Sequence, residues 1–300
     1  MQSTLIVILG PTGVGKTEIS LQVAQNLQTP IISADSRQIY KELKIGTAAP
    51  TSEQLSTVKH YFIGSHSIFE NFSAGQFEQE ALALLEKHFA TNHIALMVGG
   101  SMLYIDAVCK GLDNIPTVDT TTRNYWKKQY ENQGLEYIRQ ELKKLDPVYY
   151  QQVDPNNYKR ILHALEICSI TGNPFSALRT GVHKKRAFDI VKIGLNRPRH
   201  ELYERINARV DQMMEEGLLE EAKQFYAFKN LNPLNTVGYK ELFEFMDGKI
   251  TLKQAVDKIK QNTRHYAKRQ LTWFNHDKDI TWFHPDEREK IIRFLQNRLS

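Results

Sequence analysis

Three glycines followed by a lysine and a threonine form the most chemically specific stretch of the chain. Gly10, Gly13 and Gly15 precede Lys16 and Thr17 in the spacing Gly-x-x-x-x-Gly-Lys-Thr. Glycines let the backbone curl so that its N–H groups point inward, and the lysine adds a mobile positive charge. The stretch therefore predicts a turn that holds a diphosphate or triphosphate, with the threonine hydroxyl placed to bind a Mg²⁺ on the same phosphates.

This turn, the phosphate loop (residues 10–17), lies in the context that its pattern requires. An apolar run at residues 5–9 has the length of a buried strand, and an apolar helical pattern begins directly after the loop. The sequence thus predicts a strand, a phosphate loop and a helix. The residues assigned to diphosphate binding are Gly10, Thr12, Gly13, Val14, Gly15, Lys16 and Thr17.

Two more polar groups follow predicted strands. Residues 30–34 resemble a short buried strand that ends at Asp35 and Ser36, and residues 94–98 resemble another that leads to Ser101. Open α/β sheets place their chemistry at the carboxyl ends of strands, so these side chains are candidates for the same site. Each has an equally good alternative, because Asp, Ser and Thr also cap helical turns at such positions.

These elements predict an α/β fold of the P-loop NTPase-like type, a parallel sheet flanked by helices. Residues 1–110 and 187–300 form the predicted core, which includes a small mobile lobe at about residues 45–75. Between residues 111 and 186 the strand pattern stops and helical patterns dominate, so we predict a helical insertion domain there. The helices expected in the insertion cover residues 122–133, 134–145 and 157–171.

Composition limits the class of protein. With 300 residues, 41% hydrophobic and 24% charged, the chain is long enough for a large core and is not disordered by composition. Cys109 and Cys168 have no metal-ligand spacing, and no apolar run approaches the roughly 20 residues that span a bilayer. We expect a cytoplasmic protein without a membrane partner. An Asn-Lys-x-Asp guanine-reading motif is absent, which argues against a GTPase switch.

The positive charge favours a polyanionic partner. The 39 Lys and Arg residues exceed the 34 Asp and Glu residues, and the pI is about 9.0. Residues 183–186 (His-Lys-Lys-Arg) resemble a phosphate-facing loop, and Lys260, Arg264 and Lys268 recur every four residues on one helix face. Any single basic residue of the insertion is as well explained by a solvated helix face.

Several motifs in this order resemble those of the tRNA dimethylallyltransferases, which move a five-carbon isoprenoid from dimethylallyl diphosphate to the adenosine 3′ of the anticodon. The match covers nearly the whole chain. Besides the phosphate loop, the matching motifs are Asp35-Ser36-x-Gln38-x-Tyr40, Ile45-Gly46-Thr47-Ala48-x-Pro50, Val98-Gly99-Gly100-Ser101-x-Leu103-Tyr104, Leu145-Asp146-Pro147, Asn157-x-x-Arg160-x-x-x-Ala164-Leu165-Glu166, Gly238-Tyr239-Lys240-Glu241 and Tyr266-Ala267-Lys268-Arg269-Gln270-x-Thr272-Trp273-Phe274.

The resemblance implies a mechanism. The phosphate loop would hold the diphosphate of the donor as a leaving group, with Mg²⁺ on Thr17, and the target adenosine would leave the anticodon stack. Asp35 would act as the general base toward the exocyclic N6 amine. Ser101, where the family usually has threonine, would touch substrate or diphosphate.

The resemblance also implies the RNA contacts. Nothing in the sequence indicates an obligate dimer, so we expect a monomer. The residues expected to contact tRNA are Asp35, Ser36, Arg37, Gln38, Ser101, Arg123, Lys159, Arg160, His163, Arg264, Lys268 and Arg269.

The chain departs from the family pattern at three positions. Ala49 stands where lysine is frequent, and His163 stands where arginine is common. Asn235 stands where many members carry an arginine that grips the diphosphate. Another cation would then be needed, and the candidates from the sequence are Arg197, Lys240 and Arg264.

Other functions share part of this pattern. A small-molecule kinase of the nucleoside-monophosphate or shikimate type uses the same loop and Mg²⁺, and an adenylate isopentenyltransferase prenylates free nucleotides. Neither needs the helical insertion or the basic carboxyl-terminal helix. A nucleic-acid-binding protein with a regulatory nucleotide site is the third alternative, and it would not require Asp35.

Overall fold

The computed structural model describes residues 2–299, and its centre is one six-stranded parallel sheet. The strand order across the sheet is β3-β2-β4-β1-β5-β6. The strands are β1 (Thr4–Leu9), β2 (Ile31–Ala34), β3 (His60–Tyr61), β4 (Ile94–Gly99), β5 (Asp189–Leu195) and β6 (Ile280–Phe283).

Helices connect the strands, as parallel pairing requires. In the described part of the chain the α-helices are α1 (Lys16–Asn26), α2 (Ser52–Thr57), α3 (Ala74–Phe89), α4 (Met102–Lys110), α5 (Thr120–Leu145), α6 (Pro147–Gln152), α7 (Tyr158–Thr171), α8 (Phe175–Leu178), α9 (Arg199–Glu215), α10 (Leu218–Gln224), α11 (Tyr239–Met246), α12 (Leu252–Phe274) and α13 (Arg288–Leu299). Among the residues described, no helix is both long and apolar enough to cross a membrane.

Both faces of the sheet are buried. Side chains of β1 alternate between the faces, so Leu5 and Val7 join the core that includes α3 and α4, while Ile6 and Ile8 join the core that includes α1, α9 and α13. A strand covered on both faces explains the continuous apolar run in the sequence. The predicted α/β fold, a parallel sheet flanked by helices, is confirmed.

The ends of three central strands lie at the same level. Leu9 of β1 and Ala34 of β2 are both in register with Gly99 of β4. A Cβ on Gly99 would lie 2.2 Å from the Ala34 carbonyl oxygen, so only glycine fits this position. The segments that follow these strands are the phosphate loop, Asp35–Ser36 and Ser101. The register therefore brings the three groups that the sequence singled out to one edge of the sheet.

The segment for which the sequence predicts a small lobe, residues 45–75, contains α2 and β3. Strand β3 is the edge strand of the main sheet, with Ile31 paired to His60 and Ile32 to Tyr61. A strand of two residues is too short to show an alternating pattern, so the sequence does not reveal it.

The described chain divides into two compact units. One comprises the chain up to Cys109 and from Arg186 onward, and the other is Lys110–Lys185. The second unit consists of helices around its own apolar core, in which α5 packs against α7. Gly134 divides α5 into two helical halves, because its φ of 79° and ψ of −176° are not helical. Only glycine adopts this conformation readily.

One part of the basic run at residues 183–186 does not face solvent. The Arg186 guanidinium is buried, with Nη2 2.8 Å from Glu78 Oε1 and Nε donating to the Val108 carbonyl oxygen at 2.7 Å. The interpretation of the whole run as a phosphate-facing loop is wrong for Arg186. Its charge is neutralised by a buried carboxylate and its N–H groups are bound to main-chain carbonyls, so it stabilises the fold.

Candidate active site

The phosphate loop begins with a backbone conformation that requires glycine and ends at an uncapped helix start. Gly10 has φ 151°, and a Cβ there would lie 2.5 Å from the Leu195 carbonyl oxygen. Helix α1 starts at Lys16 with no side chain capping its first turn. The first N–H groups of a helix lack intrahelical acceptors and carry the positive end of the helix dipole. They are therefore available to an anion above the loop.

The Lys16 side chain folds over the phosphate loop. Its Nζ donates to the carbonyl oxygens of Gly10 and Pro11, each at 2.9 Å. Burial lowers the pKa of Lys16 to about 8; the Asp35 carboxylate opposes this shift and the Arg209 charge adds to it. The ammonium group is thus held beside the anion site. Its lowered pKa means that it loses its proton at a less alkaline pH than an ordinary lysine.

Gln270 of α12 joins the phosphate loop to the loop after β4. The Thr12 N–H donates to its Oε1 at 2.9 Å, and its Nε2 donates to the Gly100 carbonyl oxygen at 2.7 Å. The side chain is 1% exposed. Because the Thr12 N–H already has this acceptor, the amides that remain for a diphosphate belong to later residues of the loop.

Asp35 both caps a turn and lines a cavity. Its Oδ1 accepts from the backbone N–H groups of Arg37 at 2.9 Å and Gln38 at 3.3 Å, so this oxygen caps the turn. The same carboxyl group lines a cavity next to the phosphate loop. One bound oxygen fixes the orientation of the carboxylate, and the cavity gives it access to a ligand.

Ser101, which follows the neighbouring strand end, hydrogen-bonds to Ser36, the residue after Asp35. Its Oγ accepts from the Ser36 N–H at 2.8 Å and donates to Ser36 Oγ at 3.1 Å. The Tyr266 hydroxyl also hydrogen-bonds to Ser101; burial, together with the smaller effect of the Asp35 charge, raises the pKa of Tyr266 to about 12. Ser101 does not itself line the cavity, but Ser36 and Tyr266 do.

The cavity has a volume of about 270 Å³, and its lining is both polar and apolar. The polar lining includes the phosphate-loop residues Thr12 and Gly13 together with Asp35, Ser36 and Arg37. The apolar lining includes Ile206, Val210, Met213, Val237 and Ile259. Such a cavity can hold a ligand that has both a charged and an apolar part.

Arg209 is the cation that the sequence analysis missed. It lines the cavity, and burial lowers its pKa while the Asp35 charge opposes this shift. Helix α9 buries Leu202, Ile206 and Val210 as an apolar stripe, and Arg209 lies three residues after Ile206, beside that stripe. A charged residue bordering a buried helix face is the signal that could have revealed it.

The three cations proposed from the sequence to replace the family arginine at Asn235 lie outside the cavity lining. Arg197 pairs with Asp286 at 2.8 Å and donates through Nε to the Val14 carbonyl oxygen. Arg264 donates to Asn207 Oδ1 at 2.6 Å, and the half-exposed Lys240 lies 3.5 Å from Glu241. Arg209 and Arg37 are the arginines that face the cavity.

The side chains predicted to contact RNA lie in different surroundings. In the first unit, Gln38 Nε2 donates to the carbonyl oxygens of Thr47 and Ala48, so this group is engaged within the protein. Arg269 lies over the Tyr266 ring at 5.8 Å, and Lys268 borders a surface groove.

In the second unit the predicted RNA contacts are on the surface. Lys159 and Arg160 lie exposed in the first turn of α7. Arg123 and His163 are about half exposed and lie 4.0 and 3.7 Å from Glu166 Oε2.

A metal ion would have few protein ligands here. The described residues contain no cluster of three His, Cys, Asp or Glu side chains that could hold one. Thr17 is exposed at the second position of α1, next to the anion site. Mg²⁺ keeps several waters and often binds through substrate phosphates, so a single hydroxyl fits it.

The fold and the site define a class: a P-loop α/β protein in which the anion-binding turn and a carboxylate face one cavity. A family profile described as IPP transferase matches residues 38–277. The chain is 57% identical to tRNA dimethylallyltransferase 2 of Parabacteroides distasonis, over 99% of both chains. The chain therefore belongs to the IPP transferase family.

Solved structures agree with this assignment. The full-length tRNA isopentenylpyrophosphate transferase of Bacillus halodurans is 36% identical, with a TM-score of 0.72 and coverage of 99% of this chain and 97% of that one. A eukaryotic dimethylallyltransferase described as acting on tRNA is 28% identical, with a TM-score of 0.76 and coverage of 94% and 74%.

The pKa of Lys16 gives a testable pH dependence. The ammonium group is protonated below pH 8 and loses its proton above it in the empty site, whereas a bound diphosphate favours the charged form. Binding must then take up a proton, so we expect the affinity for inorganic diphosphate to fall by up to about tenfold per pH unit above pH 8. Calorimetric titrations between pH 7 and 9.5 measure this slope.

Lys16→Arg is the matched control, because arginine stays protonated over this range. The ionisation of diphosphate itself affects both proteins equally and cancels in the ratio of their dissociation constants. The ratio should change with pH above 8, and a constant ratio would contradict the lowered pKa.

Proposed function

We propose that this chain transfers the dimethylallyl group of dimethylallyl diphosphate to the N6 amine of the adenosine 3′ of the anticodon in tRNAs. The observation that carries the proposal is the shared cavity of the phosphate loop and the Asp35 carboxylate. The names of the relatives, several of them tRNA dimethylallyltransferases, support the same reaction.

The phosphate loop and two cations bind the diphosphate of the donor in this proposal. Lys16 lies over the loop, and Arg209 lies in the cavity wall next to Asp35. Both can neutralise the negative charge that grows on the departing diphosphate. Mg²⁺ held through Thr17 would supply further positive charge on the same oxygens.

Asp35 receives the proton of the acceptor. The N6 nitrogen forms a bond to C1 of the donor, and the C1–O bond breaks with its electron pair leaving on the diphosphate. As N6 becomes positively charged its proton becomes acidic, and the carboxylate takes it. Because Oδ1 is held by two backbone N–H groups, Oδ2 is the oxygen that we assign to proton transfer.

The RNA-contact assignments remain part of this proposal. Exposed Lys159 and Arg160 in the helical insertion would neutralise phosphates, as would Lys268 in the core unit. We propose that a single chain is the catalytic unit, because nothing in the sequence indicates an obligate dimer.

The direct test supplies Mg²⁺, dimethylallyl diphosphate and an anticodon stem-loop with adenosine after the anticodon, followed by nucleoside analysis of the RNA. We expect N6-dimethylallyladenosine in this stem-loop and none when the target adenosine is replaced by guanosine. Prenylation of free AMP but not RNA would identify an adenylate isopentenyltransferase. Consumption of ATP with a small acceptor would identify a kinase.

Asp35→Asn tests the proton-accepting role of Asp35 separately from its role in capping the turn. The asparagine Oδ1 can still accept from the Arg37 and Gln38 N–H groups, but the side chain no longer accepts a proton. We expect the single-turnover transfer rate to fall by about 10²–10⁴-fold. The dissociation constant for the stem-loop should stay within about threefold of wild type. An equal loss of RNA binding would show that Asp35 is structural.

Arg209→Met tests the proposed diphosphate cation. Methionine keeps part of the side-chain volume but removes a charge-assisted hydrogen bond, so we expect the KM for dimethylallyl diphosphate to rise by about 10–100-fold. Lys240→Met is the comparison, since Lys240 lies outside the cavity lining; its donor KM should stay within about twofold. The reverse ranking would assign the role to Lys240.

A further inference from the structure

A short loop forms one wall of the cavity, and a buried carboxylate outside the cavity lining holds it. The loop, here called the wall segment (residues 44–48), contributes Gly46, Thr47 and Ala48 to the cavity that contains Asp35. Glu221 in the first turn of α10 is 9% exposed and is absent from the lining.

Glu221 accepts hydrogen bonds from four donors. Its Oε2 accepts from the N–H groups of Lys44 and Ile45, each at 2.9 Å. Its Oε1 accepts from the Gly46 N–H at 2.9 Å and from the Tyr239 hydroxyl at 2.6 Å. Three consecutive backbone N–H groups of the wall segment therefore share one carboxylate.

Tyr239, which is hydrogen-bonded to Glu221, also packs against the wall segment. A Cβ on Gly46 would lie 2.6–2.7 Å from the ring and hydroxyl atoms of Tyr239, so the backbone lies directly on the ring. Tyr239 is 0% exposed, and burial followed by the Glu221 charge raises its pKa. The hydroxyl stays protonated and serves as a donor to Glu221.

The wall segment also contacts Gln38 and Arg209, and Arg209 lines the cavity. Gln38 Nε2 donates to the carbonyl oxygens of Thr47 and Ala48 at 3.2 and 2.9 Å, and Arg209 Nη2 lies 3.5 Å from the Ala48 carbonyl oxygen. Ala48 has φ 49°, a conformation that is unfavourable for a residue with a Cβ. Such a conformation persists when the surrounding contacts determine it.

We propose that Glu221 is a positioning residue: it fixes the wall segment, and through it Arg209 and Gln38, at the distances from Asp35 that the transfer needs. The role rests on the proposed function. It requires no contact between Glu221 and either substrate. Removing one of its acceptor oxygens leaves N–H groups without a partner and releases the wall segment.

Glu221→Gln is the test, because it keeps the shape but replaces one acceptor oxygen by a donor. We expect amide hydrogen exchange at Lys44, Ile45 and Gly46 to accelerate at least tenfold. The kcat for the stem-loop should fall by about 10–100-fold, as for a small misplacement of reacting groups. The KM for the stem-loop should stay within about threefold.

Glu78→Gln is the matched control. Glu78 is similarly buried at 7% and, like Glu221, lies outside the cavity lining, but its carboxylate pairs with the Arg186 guanidinium. A loss of stability common to both variants should appear in their melting temperatures, while faster exchange at the wall segment and lower kcat should be confined to Glu221→Gln.

Two results would overturn the positioning role: unchanged exchange at the wall segment, or faster exchange with wild-type kcat. If Glu221→Gln gives no folded protein, Glu221→Asp answers the same question, since its oxygens are withdrawn by about one C–C bond length while the charge remains. A wild-type protein that transfers nothing would instead contradict the proposed function. Active wild type with equally active variants contradicts only the inference about Glu221.

Discussion

The close contact between β2 and β4 is the constraint on which the site depends. Gly99 lies against the Ala34 carbonyl oxygen, and both strand ends are level with the end of β1. The phosphate loop and Asp35 follow strands that are separated by β4 alone. A larger residue at Gly99 would push β2 away from β4, and the carboxylate would move relative to the anion site. The spacing of the strands therefore determines where the Asp35 carboxylate lies relative to the anion site.

Short-range patterns in the sequence predicted the parts of the molecule that are built locally. The phosphate loop, the buried strands and the helix that carries Lys260, Arg264 and Lys268 each depend on residues within one element or its cap. The family resemblance added the order of the motifs and the reaction. Strand β3 was not predicted because two residues carry no alternation, and its place in the sheet comes from pairing with β2.

The parts that the sequence did not predict depend on contacts between distant segments. Glu221 bonds to a loop about 177 residues away, and Arg186 finds its carboxylate partner 108 residues away. Neither partner can be inferred from spacing along the chain. The position of Arg209 could not be predicted for the same reason, because the cavity that it lines is built from several segments of the chain. A charged residue on or beside the buried face of a helix, such as Glu221 or Arg209, marks such a position, but its partners come only from the fold.

The Gln270 carboxamide has a consequence for which residues the chain can accept there. It serves two main-chain groups of opposite polarity, accepting from the Thr12 N–H and donating to the Gly100 carbonyl oxygen. Glutamate would offer no proton to the carbonyl, lysine would offer no lone pair to the amide, and asparagine would be one methylene too short to span both. Glutamine is thereby favoured over these residues at position 270, because one loop supplies a donor and the other an acceptor. This preference does not depend on which ligand occupies the site.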